Sequence, residues 1–595
     1  MFVGCVALAT SCDLTENVQV KADKSMIFGS KSGLELYSNS FYKALPTLKN
    51  GFMQDKMCDV GAVSNTDTFI KQGAYNTETA TSWSWGALKN INYFIDGCND
   101  PKYCTVDDNT RDNYLGIARW FRAWFYYDKL TTYGEVPWFP HDIQSYQNDV
   151  MYKDRDSRDV IIRNLIADLD FAYEHIQATS STGSSTLTRW AAAALKSRVC
   201  LFEAAYRRYH NLTELEITPE ELYREAAKAA KLVIDNSGCS LNTATGKKGA
   251  YRDLFYNETP LTQEVILAVC ANEKSGIFGE QNWWFNARSY GLCWSLVRSF
   301  VHTYLKLDGT PFTDAADYAV KSFTEEMEGR DLRLEQTVRG RNFLWDGKTA
   351  VADIKNLSLT GYQVIKYTLD ESKYDGGAKN INSIPLIRYA EVLLNYAEAQ
   401  AELGIITDSE WALTVGALRK RAGITGGTET LPTTVDGYLQ RTFYPDVTSP
   451  VLLEIRRERA IELVAEGMRF DDLRRWKCGL LMETLPWSGI HIPGLEQPVD
   501  VNGDGVDDYY FTEGEVTAAP AAYRNIAIRV NQDGVGLYAE ANAVAGYDLV
   551  YKTGAGDRYW YPDGRQYLYP IPAKVIRDYK NAGYTISQNP YWDNE

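Results

Sequence analysis

From Thr188 to Tyr206 the chain sets Ala192, Leu195, Val199, Phe202 and Tyr206 three and four residues apart. That spacing puts them on one face of an α-helix, and alanine beside them lets a second helix approach closely. Leu222 to Asn236 repeats the style and runs into Ser237-Gly238, a helix C-terminal signal. Leu386, Ala390, Leu393, Leu394, Ala397 and Ala401 mark a further helix closed by Gly404, and Trp411 to Arg421 follows, stopping at Gly423. Asp112 to Leu130 reads as an aromatic-rich helix, with Pro137 barring continuation, and Glu454 to Glu466 as a heavily charged one ending at Gly467. Paired as 188–206 with 222–236 and 386–403 with 411–421, these segments predict antiparallel hairpins of tetratricopeptide-like type.

The expected fold is therefore mostly α: a tetratricopeptide-like helical-repeat scaffold with long loop-rich insertions and a few short β-strands. The tracts 237–300, 308–385, 424–450 and 479–568 are rich in Gly, Asp, Asn, Thr and Tyr. Within them Glu264–Val269 and Tyr362–Tyr367 are predicted as strands. The division expected is a leader at 1–12 and one body at 13–595. In that body 36–236 and 386–480 form the scaffold, 237–385 and 481–568 the insertions, and 569–595 the C-terminal segment.

The net charge is −16, so the surface repels phosphate backbones and no nucleic-acid partner is expected. No run of 18 apolar residues offers a membrane-spanning helix. The 40 Tyr, 15 Trp and 21 Phe exceed what a core needs, which points to rings that meet a ligand at half-wet surfaces. Leu8-Ala9-Thr10-Ser11-Cys12 follows a short apolar stretch and resembles a bacterial lipobox, in which Cys12 is lipidated. A buried N-terminal strand with an incidental Cys is the alternative. Ten cysteines make no disulfide scaffold, although the Cys98–Cys104 loop could close a small one outside the cytoplasm.

Four ordered motifs then resemble the SusD/RagB-type lipoproteins. They are Arg119-Trp-Phe-Arg-Ala-Trp-Phe-Tyr-Tyr-Asp-Lys-Leu-Thr-Thr-Tyr-Gly-Glu-Val-Pro-Trp138, Leu386-Ile-Arg-Tyr-Ala-Glu-Val-Leu-Leu-Asn-Tyr-Ala-Glu-Ala399, the charged stretch Glu454–Trp476, and Tyr569-Pro-Ile-Pro572 with Gln588-Asn-Pro590. The resemblance implies four tetratricopeptide-like helix pairs, irregular insertions forming a binding face, and no catalysis. It also implies a surface lipoprotein on the outer membrane of Bacteroidetes-like bacteria. Such a protein sits as a lid on a SusC-like TonB-dependent transporter and hands over glycans or, in some members, peptides. Within 454–476, Glu454 with Arg457 and Arg459 with Glu462 fall at i,i+3, and the stretch reads as an intramolecular ion-pair lattice. Tyr389, Tyr396, Trp120 and Trp124 read as core.

Sugar recognition needs flat rings outside helical core positions, beside groups that bond hydroxyls. Trp83 and Trp85, with Asn65 and Asp67 upstream and Asn90 and Asn92 following, form the first candidate. Asn282, Trp283, Trp284, Arg288 and Tyr290, with Trp294 beyond, form the second. The resemblance favours both, since family glycan sites usually draw on loops in these regions; the alternative buries one Trp of each pair. Asp557–Pro562 is a weaker third. Asp500, Asn502, Asp504, Val506 and Asp508 occupy calcium-loop positions 1, 3, 5, 7 and 9 around Gly505, but Phe511 stands where an EF-hand needs an acid. A structural Ca²⁺, completed by a remote ligand such as Glu513, and an Asx-turn loop without metal both fit; no other cofactor is expected. The chain carries no Gly-x-Ser-x-Gly, His-Glu-x-x-His, Walker or Gly-x-Gly-x-x-Gly pattern. A helical glycosidase is the enzymatic alternative, because its paired carboxylates can come from anywhere in a fold.

Overall fold

The computed structural model describes residues 24–49, 53–286, 293–552 and 558–593. Seven helices form the scaffold: α1 (Gly86–Cys98), α2 (Asp108–Tyr133), α3 (Arg158–His175), α4 (Arg189–Tyr209), α5 (Pro219–Asn236), α7 (Tyr389–Glu402) and α10 (Pro450–Glu462). Each packs on the next in that order. The α4–α5 hairpin stands where the alanine spacing put it: Ala191 to Ala194, Ala226, Ala229 and Ala230 are all buried at the contact. Its ends are set locally. Thr188 caps α4 by accepting the Ala191 amide, and Thr218 with Glu221 closes a capping box on α5 behind Pro219. Among the described residues no helix is long and apolar enough to cross a membrane.

The structure corrects several boundaries. Leu386 does not begin a helix: Ile384–Arg388 is a strand (β4) pairing antiparallel with Val265–Val269 (β2), and α7 starts at Tyr389. The expected helix 411–421 is two, α8 (Asp408–Leu413) and α9 (Val415–Arg421), broken at Thr414, whose φ −108° and ψ −93° are not helical. Tyr362–Tyr367 is no strand and makes only isolated bridges through Gln363 and Val364. The helix α3 escaped the sequence reading altogether, because its apolar positions Ile161, Ile162, Leu165 and Leu169 are interleaved with Asp159, Arg163, Asp168 and Asp170. The short strands β1 (Gly61–Ala62) and β3 (Ser295–Leu296) pair antiparallel, which ties the segment after residue 60 to the middle of the chain. Cys98 and Cys104 are free thiols.

The charged stretch does form a buried lattice, but with distant partners. Glu454 meets Arg457 at 3.1 Å as expected. Arg459 instead pairs with Asp472 at 2.8 Å in α11 (Arg469–Arg475), while Glu462 takes Arg388, Arg421 and Arg333. Arg459 is as desolvated as those three arginines, so the pairing is set by which groups the fold brings within reach and not by burial. Asp55 sits at the edge of this lattice. One of its oxygens accepts the Gly467 amide at 3.0 Å, and the other is enclosed without a partner. Burial pushes its carboxyl up to about 7, with Lys366 opposing and Glu466 assisting. A raised folded-state pKa contributes stability that is full below the unfolded value near 4 and gone once pH passes 7. Asp55→Asn removes that loss. Its stability relative to wild type should rise by about 2–3 kcal/mol between pH 5 and 7.5, read by urea unfolding at each pH. A constant difference would contradict the assignment.

Candidate ligand-binding site

Residues 80–85 run into α1 without regular structure. Thr81, Trp83 and Trp85 line a cavity of about 1090 Å³, while Ser82 lines a smaller one on the other side of the segment. Where such a strip is extended, successive residues face opposite ways, and Trp83 and Trp85, two apart, share the cavity side here. Both rings are half-buried and meet edge to face, with centroids 5.3 Å apart and planes at 74°. Trp83 rests on Tyr133 at 4.9 Å and Trp85 on Phe139 at 5.2 Å, so neither ring is free to swing. The opposite wall is α12 (Ala573–Asn581), which turns Val575 and Tyr579 inward, four residues apart. That helix is the part of the site the sequence reading missed; the spacing of Val575, Tyr579 and Ala582 was its signal.

The rim is charged yet compensated. Arg577 pairs with Glu78 across the mouth at 2.5 Å, Lys574 with Asp578 at 2.6 Å, and Lys89 with Asp142 at 2.9 Å. The cavity therefore offers ring faces and apolar side chains inside a rim of paired charges. Asn90 and Asn92 serve the fold: Asn92 is buried and donates to the Phe139 and His141 carbonyls, and Asn90 bonds Tyr37 and Ser40.

The other expected site residues are dispersed. Asp67 caps the turn Thr68–Ile70 by accepting the Phe69 amide at 3.0 Å and pairs with Lys56 at 2.5 Å. Asn65 is exposed and does not line the cavity. In α6 (Gln281–Asn286), Asn282 is fully buried and clamps residue 369 through both the Leu369 amide and carbonyl, at 2.7 and 2.8 Å. Its amide is engaged within the fold, and the residue does not line the large cavity. Trp294 is only 3% exposed and fills the space left by Gly61, where a Cβ would come within 2.4 Å of the indole nitrogen. Trp283 and Trp284 are half-buried with centroids 5.1 Å apart, and they do not line the large cavity. Arg288 and Tyr290 lie outside the described residues, as do Cys12 and Asp557. Trp560, in the third candidate, is buried against Tyr567. Tyr389, Tyr396 and Trp120 are buried, as core residues should be.

Lys129 holds the tryptophan strip from behind. It is 6% exposed, donates to the Ser82 carbonyl at 3.4 Å and sits 5.6 Å from the centre of the Tyr133 ring that carries Trp83. Burial pulls its ammonium pKa down, with Asp128 opposing. Lys129→Met keeps the stem and removes the bond. The loss of about 1 kcal/mol of restraint should weaken ligand binding roughly fivefold, read by calorimetry with the fold checked by circular dichroism. Unchanged affinity would show that the strip needs no tether.

In the 500–508 loop the polar groups bond the backbone. Asp500 accepts the Gly503 and Gly505 amides at 2.7 and 2.8 Å, Asn502 the Asp504 amide, Asp504 the Val506 amide, and Asp508 the Val501 amide. Burial raises the Asp508 pKa, and Asp500 and Asp504 add to the rise. Among the described residues no group of three or more His, Cys, Asp or Glu is disposed to hold a metal ion.

The helical-repeat body places the chain in the class of proteins built on tetratricopeptide-like scaffolds. The SusD family model matches residues 263–592, more than half of the chain. This protein belongs to the SusD family. A SusD-like protein of Formosa agariphila is 25% identical over 378 residues, covering 61% of this chain and 66% of that one, just under two thirds of its length. A SusD-like protein of Bacteroides fragilis matches in structure with a TM-score of 0.65 at 20% identity, covering 96% of this chain and 98% of the other. A SusD-like carbohydrate-binding protein of the same species matches with a TM-score of 0.66 at 18% identity, covering 94% and 99%.

Proposed function

We propose that this protein captures an oligosaccharide in the cavity between Trp83, Trp85 and α12, without cleaving it, and delivers it to a SusC-like TonB-dependent transporter. In this reading a lipid on Cys12 anchors it at the surface of the outer membrane. One observation carries the ligand class: two immobilised, half-buried tryptophans face a largely apolar cavity whose rim charges are paired. Ring faces stack on the C–H faces of neutral sugars, while a rim without free charge does not select an ion. The volume of about 1090 Å³ suits an oligosaccharide rather than one monosaccharide. The carbohydrate-binding relative from Bacteroides fragilis supports the same class.

Two alternatives fit less well. Peptides bound in extended form need an unpaired strand edge, and the cavity walls are α1, α12 and irregular segments. A glycosidase needs two free carboxyl groups, whereas the acids lining the cavity, Glu78 and Asp578, are engaged with Arg577 and Lys574. Affinity electrophoresis of the purified protein in gels containing plant, host and microbial polysaccharides tests the reading, with analysis of any released products. Retardation by one glycan class without cleavage is expected. Retardation by none, or released oligosaccharides, would contradict it.

A structural Ca²⁺ on the 500–508 loop is part of the same proposal; it rests on the spacing of Asp500, Asn502, Asp504 and Asp508 around Gly505 and requires their oxygens to leave the backbone amides they accept. Calcium at ten times its Kd should stabilise the protein by about 1.4 kcal/mol, reversed by chelator and absent in Asp504→Asn. A melting temperature indifferent to calcium would remove the metal from the account.

A further inference from the structure

Trp83 and Trp85 line one cavity with their ring planes inclined at 74° and their centroids 5.3 Å apart. Neither plane is free to turn towards the other. Trp85 is wedged among Phe125, Tyr126 and Phe139, whose ring centroids lie 5.6, 6.1 and 5.2 Å away. Two of those neighbours are tied together. The Tyr126 hydroxyl accepts the Phe139 amide at 2.7 Å and donates to the Pro137 carbonyl at 3.2 Å. Trp83 packs on Tyr133 at 4.9 Å with planes at 77°, and Tyr133, in the last turn of α2, is itself buried. Rotating either indole would break this packing and force a side chain off its rotamer. The angle between the two planes therefore persists when a ligand arrives.

A sugar that stacks on an indole lies with its mean plane nearly parallel to that indole. Two sugars stacked on Trp83 and Trp85 must then stand at an angle close to the 74° between the rings. The centroid separation is close to the span of a single pyranose ring. Those sugars are thus neighbours, with no spacer between them in which a chain could recover its direction. Glycans divide on this point. In a flat twofold ribbon, such as cellulose or β-mannan, successive rings are flipped but their planes stay near parallel. A ribbon can lie flat on one of these indoles and must meet the other edge on, or pay to be twisted before it binds. In helical amylose or threefold xylan each ring plane is turned from the last. A side-chain sugar likewise stands at an angle to the ribbon that carries it.

We infer that the cavity selects a glycan whose neighbouring sugars are turned out of one plane and discriminates against a flat ribbon, which rests on the capture reading above. Calorimetric titration of the whole protein with maltopentaose, xylopentaose and xylosylated cellotetraose, against cellopentaose and mannopentaose as ribbons, tests it. At least one of the first three should bind about tenfold tighter than either ribbon. For that ligand Trp83→Ala and Trp85→Ala should each cost about tenfold, because each indole holds a sugar of its own. A ribbon that binds at all should be weakened by one of these variants and not by the other. Tight binding of maltopentaose or xylopentaose assigns a main chain that turns at every link, and of xylosylated cellotetraose alone a branch. A ribbon that binds as tightly as the best of the three overturns the inference and leaves the capture reading standing. So does a tight ligand that either tryptophan variant leaves unaffected. If none of the five binds, the inference falls, and gel retardation by other polysaccharides decides separately whether capture falls with it. The comparison of ligands on the wild-type protein decides the matter even should a variant fail to fold.

Discussion

Glu462→Gln should destabilise the protein by about 3–5 kcal/mol, a third or more of the stability of an ordinary domain. The Glu462 carboxylate is fully buried. One oxygen accepts Arg388 and Arg421 and the other accepts Arg333, at 2.7 Å for Arg388 and Arg333. Burial alone would raise its pKa, but Arg421, Arg388 and Arg333 hold it far below the usual carboxylate range. Those three arginines come from β4, from the end of α9 and from the 331–337 segment, so one carboxylate ties α10 to three separate stretches of chain. Glutamine keeps the shape and removes the charge, leaving desolvated guanidiniums with too few anions. Urea unfolding would show the lowered midpoint. Glu216→Gln, which breaks an exposed pair with Arg163 at 3.2 Å, should move it little. A Glu462→Gln protein as stable as wild type would mean that the lattice adds no stability.

The second large effect is on binding. Trp83→Ala/Trp85→Ala should weaken the retarding glycan at least 100-fold, about 2.7 kcal/mol, because two anchored rings are the strongest contacts such a cavity can offer. Each ring is already fixed by Tyr133 or Phe139, so the ligand spends no free energy ordering it. Trp83→Ala alone should give a smaller loss. Trp283→Ala/Trp284→Ala, away from the cavity, should stay within about twofold of wild type. Equal losses in both double variants would place ligand contacts on both segments.

The sequence showed the scaffold wherever small residues recur at helical spacing, because alanine faces that pack helix on helix tolerate little else; α4 and α5 were legible to within three residues at each end. It concealed α3, whose charges interrupt the apolar stripe, and it misled at Tyr362–Tyr367, where an apolar run serves a turn. That Trp83 and Trp85 line a cavity together was readable from their place outside a helix in alternation with serine, even though each also packs against the edge of the core. Asn282 and Trp294 were not. A tryptophan or an asparagine beside polar residues looks the same in a core as in a site, and here the difference came from Gly61 and Leu369, far away in the chain. The α12 wall was hidden for the same reason: it meets Trp83 and Trp85 only through the fold.

The most direct measurement is a structure of the protein with the oligosaccharide that retards it most strongly. The account predicts sugar rings stacked on Trp83 and Trp85, with the chain running between them and Val575 and Tyr579 of α12. A glycan bound over Trp283 and Trp284, or anywhere that leaves this cavity empty, would contradict it.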